Sequence, residues 1–230
     1  MKHGFGNILH AEQESYLERM LPPRDALLRE MEALAGERDV PISDPEVGRL
    51  LQALACGACG VAGGRMVEVG TAIGYGTLCL ARGAPASRVI SVDLDPDRLG
   101  LARGYLARGG VADRVELLQG AALARLAALA GPFDLAYLDG PKTEYRRTLD
   151  LLLPKLRVGG FVVVDNLLWG GRIAAPDPDS EDDADTAALR AFNGYFMSHP
   201  QLAAILLPLG DGVGLATKTK PLITEMGGPF

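Results

Sequence analysis

The chain has 230 residues, of which 48% are hydrophobic and 23% charged, and its formal net charge is −6. A chain of this length and apolar content buries a sizeable core and usually forms one domain, so we expect a single domain over residues 1–230. The negative charge and the lack of any long Lys/Arg run do not favour a nucleic-acid partner. No stretch approaches the roughly 18 apolar residues that cross a bilayer and no signal-peptide pattern is visible, so we expect a cytoplasmic protein without a membrane partner.

The N-terminal part of the chain is predicted to be helical. Two short helices are expected between about residues 11 and 36, separated by Pro22-Pro23. A further helix should begin at Pro45, with Ser43 or Asp44 as its cap. We expect the N-terminal helices, over about residues 1–40, to cover the substrate site.

The stretch Val67-Glu68-Val69-Gly70-Thr71-Ala72-Ile73-Gly74-Tyr75-Gly76 joins an apolar run to a glycine-bearing turn and then to a helical pattern. A buried strand is predicted to end at Glu68, and the glycines let the backbone approach a ligand closely. The next apolar strand, 89–93, ends in Asp93, an acid placed to bind two ribose hydroxyls. Because the spacing Gly70-x-x-x-Gly74 is not the dinucleotide fingerprint, the pattern indicates a nucleoside-containing cofactor rather than a diphosphate.

The remaining elements alternate between helix and strand. Helices are predicted over about 96–109, 121–130 and 143–156, strands over 115–118, 133–139 and 161–165, and a hairpin over 203–217. This order predicts an α/β fold with a doubly wound, mostly parallel sheet and an antiparallel C-terminal edge hairpin. Cys56 and Cys59 have C-x-x-C spacing, but without a second pair we interpret them as small buried residues and not as metal or redox ligands.

Acids stand at or beside the carboxyl ends of four predicted strands: Glu68, Asp93, Asp139 and Asp165. Ligands of doubly wound folds bind at this edge. Asn166 follows Asp165 and adds an amide oxygen. Oxygens from Asp139, Asp165 and Asn166 suit an octahedral divalent cation such as Mg²⁺, with Mn²⁺ or Ca²⁺ as alternatives. Asp139 alone would not indicate a metal, since strand-end acids often cap helices or form salt bridges.

Two motifs carry a family resemblance. Asp139-x-x-Lys142-x-x-Tyr145 and Asp165-Asn166-x-x-Trp169-x-Gly171 resemble the D-x-x-K-x-x-Y and D-N-x-L-W-x-G patterns of the cation-dependent O-methyltransferases of the caffeoyl-CoA and catechol type. The glycine corner that begins at Glu68 and the V-D-L-D-P stretch at Asp93 resemble the S-adenosylmethionine (SAM) site of class I methyltransferases. The resemblance extends from the Ile42-Ser43 region to the turn at 209–212 and covers nearly the whole chain.

This resemblance implies a Rossmann-like methyltransferase fold, and transfer of a methyl group from SAM to a hydroxyl with the help of a divalent cation. The cation ligands would be Asp139, Asp165 and Asn166, and the catalytic residues would be Lys142, beside the reacting hydroxyl, and Asp139. The cofactor-binding residues would be Ile42, Ser43, Glu68, Gly70, Gly74, Tyr75, Gly76, Asp93, Ala121, Ala122 and Asp139, with Asp93 on the ribose and Ala121 or Ala122 along the adenine.

The chain departs from the family pattern at two places. Gly76 stands where the family commonly has a serine that gives a hydroxyl to the cofactor carboxylate. The family's D-A-D-K becomes Asp139-Gly140-Pro141-Lys142, which loses the second acid. Metal and base are kept, but the second change lies at the reacting edge and bears on the substrate class.

The motifs leave the substrate open. The acidic segment around 177–185 is most often a solvated loop, but if it faces the substrate it disfavours anionic molecules, and we therefore expect a small neutral or cationic vicinal-diol phenol. One alternative is methylation of a hydroxylated nucleoside in RNA, which the acidic balance disfavours. Another is a nicotinamide-dependent oxidoreductase, which should show the tighter glycine fingerprint and a Tyr-x-x-x-Lys pair. We expect a homodimer.

Overall fold

The computed structural model describes residues 10–174 and 183–220, which form alternating helices and strands. The helices are α1 (Ala11–Met20), α2 (Ala26–Arg38), α3 (Pro45–Cys59), α4 (Tyr75–Gly83), α5 (Pro96–Arg108), α6 (Ala122–Ala128), α7 (Tyr145–Leu152) and α8 (Ala184–Met197). The strands are β1 (Arg65–Val69), β2 (Arg88–Asp93), β3 (Val115–Gln119), β4 (Phe133–Leu138), β5 (Leu156–Val164), β6 (Leu202–Leu207) and β7 (Val213–Lys218). The predicted α/β alternation is confirmed.

The strands form one sheet in the order β3-β2-β1-β4-β5-β7-β6. β1 to β5 pair in parallel, whereas β7 is antiparallel to both β5 and β6. The strand order reverses between β1 and β4, and ligands of such sheets bind beyond the carboxyl ends of the strands at this point. The structure therefore confirms the doubly wound sheet with its C-terminal antiparallel hairpin, and places the crevice between the loops after β1 and β4.

Helices cover both faces of the sheet, and the strands contribute side chains to the core on each face. Met66 belongs to the core cluster beneath α2 to α5, while its neighbours Val67 and Val69 belong to the cluster beneath α6 to α8. Successive side chains of a strand point to opposite faces, so a central strand with two covered faces has to be apolar along its length. This explains why the predicted strands read as continuous apolar runs.

Two element boundaries differ from the sequence-based expectations by several residues, and one helix was missed. The helix expected over 143–156 ends at Leu152, because Pro154 lies in a 3₁₀ turn at Leu153–Lys155. The strand expected to begin at Phe161 begins at Leu156, since Gly159 has a φ of +79° and the register with β4 shifts there, so the strand continues through an irregularity. Helix α8 was not anticipated. It begins at Ala184, after the N-cap residue Asp183, whose side chain accepts a hydrogen bond from the Thr186 N–H.

Helix α2 belongs to the helix layer, since it packs on the core cluster beside α4 and α5. α2 is joined to α4 by the Asp25–Arg82 ion pair and to α5 by the Glu30–Arg108 ion pair. α1 buries none of its residues. That the N-terminal helices cover the substrate site stays a prediction. Among the described helices, none is both long and apolar enough to span a bilayer.

Two of the three cysteines are buried as expected, whereas the expectation was wrong for Cys56. Cys56 and Cys59 lie on α3, where Cys56 is exposed and Cys59 buried, and Cys79 is buried in α4. All three are free. Burial raises the pKa of the Cys79 thiol to about 12, so this thiol stays protonated and unreactive.

Candidate active site

The carboxyl ends of β1, β2, β4 and β5 are held level by backbone hydrogen bonds. The Gly70 N–H donates to the Val92 carbonyl at 2.9 Å, and the Asp139 N–H donates to the Val69 carbonyl at 2.8 Å. Gly70 has a φ of +97°, and a Cβ at this position would lie 2.0 Å from the Asp139 carbonyl oxygen. Only glycine fits, because the loops after β1 and β4 touch here. The structure thereby brings the first glycine of the cofactor loop beside the predicted catalytic acid.

Glu68 is fully buried below this loop. Its Oε2 accepts a 2.5 Å hydrogen bond from the Ser91 hydroxyl and another from the Thr77 hydroxyl, whereas Oε1 has no partner among the described residues. Burial raises the pKa of Glu68 to about 8, and the negative charges of Asp139 and Asp93 add to this effect against the two hydroxyl donors. At neutral pH the group is largely a neutral carboxylic acid.

The surroundings of position 76 explain why a glycine stands there. A Cβ there would lie 2.5 Å from Glu68 Oε1 and 3.2 Å from the Tyr137 ring. Gly76 stands in the first turn of α4, after Gly74, whose φ of +90° forms the N-cap. A serine, as the family pattern has here, does not fit beside this Glu68 side chain without movement.

Asp93 is fixed at the end of β2 by the cofactor loop. Its Oδ2 accepts the Ala72 N–H at 2.8 Å, and its Oδ1 accepts the Asp95 N–H at 3.0 Å. Each carboxylate oxygen keeps a second lone pair, so Asp93 can still receive two ribose hydroxyls. Ala72 adopts a left-handed φ of +45°, an uncommon conformation that recurs at Asn166 and Trp169 of this site.

Lys142 links the predicted metal ligands. Its Nζ lies 2.6 Å from Asn166 Oδ1, 3.3 Å from Asp139 Oδ1 and 2.6 Å from the Tyr145 hydroxyl. The Lys142 side chain is only 10% exposed, and Nζ also lies 5.8 Å from the centre of the Trp169 ring. The motif residues that are 24 positions apart in the chain therefore meet at one point.

The two predicted acidic ligands carry raised pKa values. Burial raises the pKa of Asp165 to about 7, and the charge of Asp139 raises it further against hydrogen bonds from Tyr137 and the Asn166 N–H. Burial also raises the pKa of Asp139, although the Lys142 ammonium opposes this shift. Two carboxylates held near each other with restricted access to water favour an added positive charge.

The donor set fits a hard divalent cation. Two carboxylates and one amide oxygen are ligands that Mg²⁺, Mn²⁺ and Ca²⁺ accept. In the described part of the chain, no three His, Cys, Asp or Glu side chains are arranged to hold a metal. A cation at this site would therefore depend on the amide oxygen of Asn166 as its third protein ligand.

Tyr137 is a site residue that the sequence reasoning missed. It lies in β4, and its hydroxyl is 2.8 Å from both the Ser43 hydroxyl and Asp165 Oδ2. The signal was present, because residues two apart in a strand share a face and Tyr137 stands two residues before Asp139 in an otherwise apolar run. Burial raises the pKa of its phenol well above the ordinary value.

The other predicted cofactor residues are placed as follows. Ser43 is buried near Gly76, and Ile42 packs against the core cluster of α2 to α5. Ala121 is the N-cap of α6 and Ala122 its first residue, beyond the end of β3. The Tyr75 hydroxyl donates to Glu32 of α2 at 2.7 Å, so we expect Tyr75 to serve a cofactor through its backbone only.

Comparison with known proteins identifies the chain's relatives. A family model described as O-methyltransferase matches residues 45–219. The chain is 42% identical over 142 residues to the catechol O-methyltransferase of Mycobacterium tuberculosis. This match covers 61% of this chain and 63% of that relative, which is slightly less than two thirds of its length. It is 32% identical over 205 residues to the catechol O-methyltransferase of Niastella koreensis, covering 84% and 89% of the two chains.

A solved structure agrees with these relatives. The O-methyltransferase TomG from Streptomyces achromogenes, in complex with SAM, is 28% identical and matches with a TM-score of 0.79 over 91% of this chain and 96% of that one. Together with the sheet order and the glycine corner, these matches identify a Rossmann-like, SAM-dependent methyltransferase. The chain belongs to the O-methyltransferase family, of the catechol and caffeoyl-CoA type. The family resemblance is thus confirmed, and membership of this family rules out the alternative of a nicotinamide-dependent oxidoreductase.

Proposed function

We propose that this protein transfers a methyl group from SAM to one hydroxyl of a small vicinal-diol phenol, with a divalent cation bound by Asp139, Asp165 and Asn166. The observation that carries the proposal is the meeting of Lys142 Nζ with the oxygens of Asp139 and Asn166 at the switch point of the sheet. The catechol O-methyltransferases among its relatives support the substrate class. The net charge of −6 gives no support to an RNA substrate.

The cofactor side of the site is assigned to the loops after β1 and β2. Glycines 70 and 74 let the backbone approach SAM, and Asp93 binds its ribose hydroxyls. Ser43 and Ile42 close the pocket from the segment before α3, and Ala121 and Ala122 line the adenine. When bound, SAM supplies the methyl group from its sulfonium.

The substrate side is assigned to the loops after β4 and β5. When bound, a divalent cation supplies positive charge that lowers the pKa of a neighbouring phenol. As an ammonium, Lys142 stabilises the negative charge that develops on the substrate oxygen, and it takes the hydroxyl proton only if it binds as the neutral amine. Tyr145 and Asn166 keep the lysine in place through their 2.6 Å contacts. Asp139 orients the same ammonium from the other side. Holding the donor and the acceptor in line accounts for the rest of the acceleration.

A cytoplasmic location and a homodimer complete the proposal. The three free thiols suit a reducing compartment. The exposed apolar side chains of α1, Tyr16, Leu17 and Met20, are 52–62% accessible and offer a surface for a second copy of the chain.

The experiment measures methyl transfer to catechol, a neutral vicinal diol, and to phenol, which has a single hydroxyl. Transfer to the diol should stop with excess EDTA and return with Mg²⁺ or Mn²⁺, while calorimetric binding of SAM survives chelation. The single-hydroxyl compound should react far more slowly, because it offers only one oxygen. Equal rates on both compounds, or full turnover in EDTA, would exclude the proposed use of the cation.

A further inference from the structure

A chain of hydrogen bonds crosses the buried interior between the cofactor side and the metal side of the site. The Ser43 hydroxyl lies 2.8 Å from the Tyr137 hydroxyl, which lies 2.8 Å from Asp165 Oδ2. All three side chains are buried, at 6%, 1% and 3% exposure. The chain joins the segment before α3, strand β4 and the end of β5. Each link is shielded from water, so the loss of one partner leaves a buried polar group unpaired.

The number of protons on each group sets the donor and the acceptor in these hydrogen bonds. A phenol has one proton, and Tyr137 donates it to Asp165 Oδ2. The Ser43 hydroxyl must therefore donate to Tyr137. Asp165 Oδ1 is held separately, by the Asn166 N–H at 2.8 Å. The orientation of the Asp165 carboxylate thus depends on the backbone N–H of Asn166 and on the Tyr137 hydroxyl, and the Tyr137 hydroxyl connects it to Ser43 on the cofactor side.

Ser43 stands where the cofactor loop meets the segment before α3. Its hydroxyl oxygen would be 3.6 Å from a Cβ on Gly76, in the first turn of α4. Residues 40–44 lie between α2 and α3 without forming helix or strand, so local backbone hydrogen bonds hold Ser43 less firmly than they hold Tyr137. Tyr137, by contrast, is fixed in the middle of the sheet between β1 and β5.

We propose that Tyr137 is a positioning residue that couples cofactor binding to cation binding through Ser43 and Asp165. This inference rests on the proposed function, since it takes Ser43 to the cofactor pocket and Asp165 to the cation. A cofactor that orders the segment at Ser43 also fixes the Tyr137 hydroxyl, and this sets the Asp165 carboxylate in the orientation that receives the cation. Such coupling is reciprocal, so each ligand tightens the other by the same factor.

The test measures the dissociation constant of Mn²⁺ with and without saturating S-adenosylhomocysteine, by calorimetry on the full-length protein. The demethylated cofactor is used because it lacks the sulfonium charge, which would repel the cation directly. In the parent, Mn²⁺ should bind about fivefold or more tightly when the cofactor is present. In Tyr137→Phe the ratio should fall below about twofold, because the phenyl ring keeps the packing and loses both hydrogen bonds.

Two further variants isolate the effect. Ser43→Ala breaks the chain at its other end and should lower the same ratio, whatever it does to cofactor affinity alone. Tyr195→Phe is the matched control, because it also removes a tyrosine–aspartate hydrogen bond, to Asp150. Tyr195 packs on the core cluster beneath α6 to α8, whereas Ile42, next to Ser43, packs on the cluster beneath α2 to α5. The ratio in Tyr195→Phe should equal that of the parent. Circular dichroism checks that each variant is folded.

The outcomes separate the inference from the proposed function. A parent-like ratio in folded Tyr137→Phe overturns the coupling role, as does independent binding of the two ligands in the parent. Both results leave the methyltransferase proposal intact. A parent that binds the cofactor but no Mn²⁺ overturns the proposed cation site, and the coupling falls with it.

Discussion

Lys142 Nζ lies 2.6 Å from the amide oxygen of Asn166, although 24 positions separate the two residues in the chain. The same ammonium contacts Asp139, so the candidate base and two candidate cation ligands share one cluster. The cluster exists because β4 and β5 are neighbours in the sheet and the residues that follow them emerge at the same edge.

Lys142→Ala should lower kcat by about 10²–10⁴-fold on the best diol substrate and leave SAM binding nearly unchanged. Removal of the ammonium frees the oxygens of Asp139 and Asn166, so Mn²⁺ affinity should not fall. A pH–rate profile checks the role, since the rate should recover at high pH where the hydroxyl ionises unaided. Lys220→Ala, an exposed lysine, serves as control. A Lys142→Ala enzyme as fast as the parent at neutral pH would show that this lysine has a structural role in the cluster and no role in the reaction.

Asp93→Ala should weaken SAM binding by about 1–3 kcal/mol, because two ribose hydroxyls lose a charged acceptor and the Ala72 N–H loses its partner. Isothermal titration measures the effect. Asp97→Ala, two residues into α5, should bind SAM like the parent. Unchanged SAM affinity in Asp93→Ala would contradict the assignment of Asp93 as the ribose-binding residue.

Gly76→Ala should destabilise the protein by about 1–3 kcal/mol, because the new Cβ would press on Glu68 Oε1. The gain in helix propensity, about 1 kcal/mol, acts in the opposite direction and is the smaller effect. Gly57→Ala in α3 meets open space and should be neutral or stabilising. Urea denaturation compares the two variants, and equal stabilities would show that Glu68 relaxes freely.

The raised pKa of Glu68 should make the stability of the protein depend on pH. Its pKa is raised from 4.5 to about 8 in the folded protein, so the native state holds more protons than the unfolded state between these values. The contribution to stability is full below the unfolded pKa and is lost as the pH rises through about 8. Glu68→Gln removes this dependence, so its stability relative to the parent should increase from pH 5 to pH 8, by roughly 2–4 kcal/mol. Thermal melts over this range check it, and parallel curves would contradict the protonated state.

Sequence periodicity predicted the sheet and most of its helices because central parallel strands must be apolar on both faces. It missed α8, which follows an acidic segment and has no clear start signal other than Asp183. The part of the acidic segment before Asp183 lies outside the described residues, and the effect of the segment on substrate charge stays a prediction. Motif spacing placed Lys142 with Asp139, but the Ser43–Tyr137–Asp165 chain depends on strand register, which no local pattern encodes.

The most direct measurement of cation-assisted diol methylation is the initial rate of methyl transfer to catechol as a function of Mg²⁺ concentration, in the parent and in Asp165→Ala. The parent should show no rate in EDTA and a saturable rise with Mg²⁺. Asp165→Ala should bind SAM and show no rise at any concentration, because it lacks a carboxylate ligand. A parent rate that is independent of Mg²⁺, or an Asp165→Ala enzyme with the parent's Mg²⁺ response, would contradict the assignment of this site.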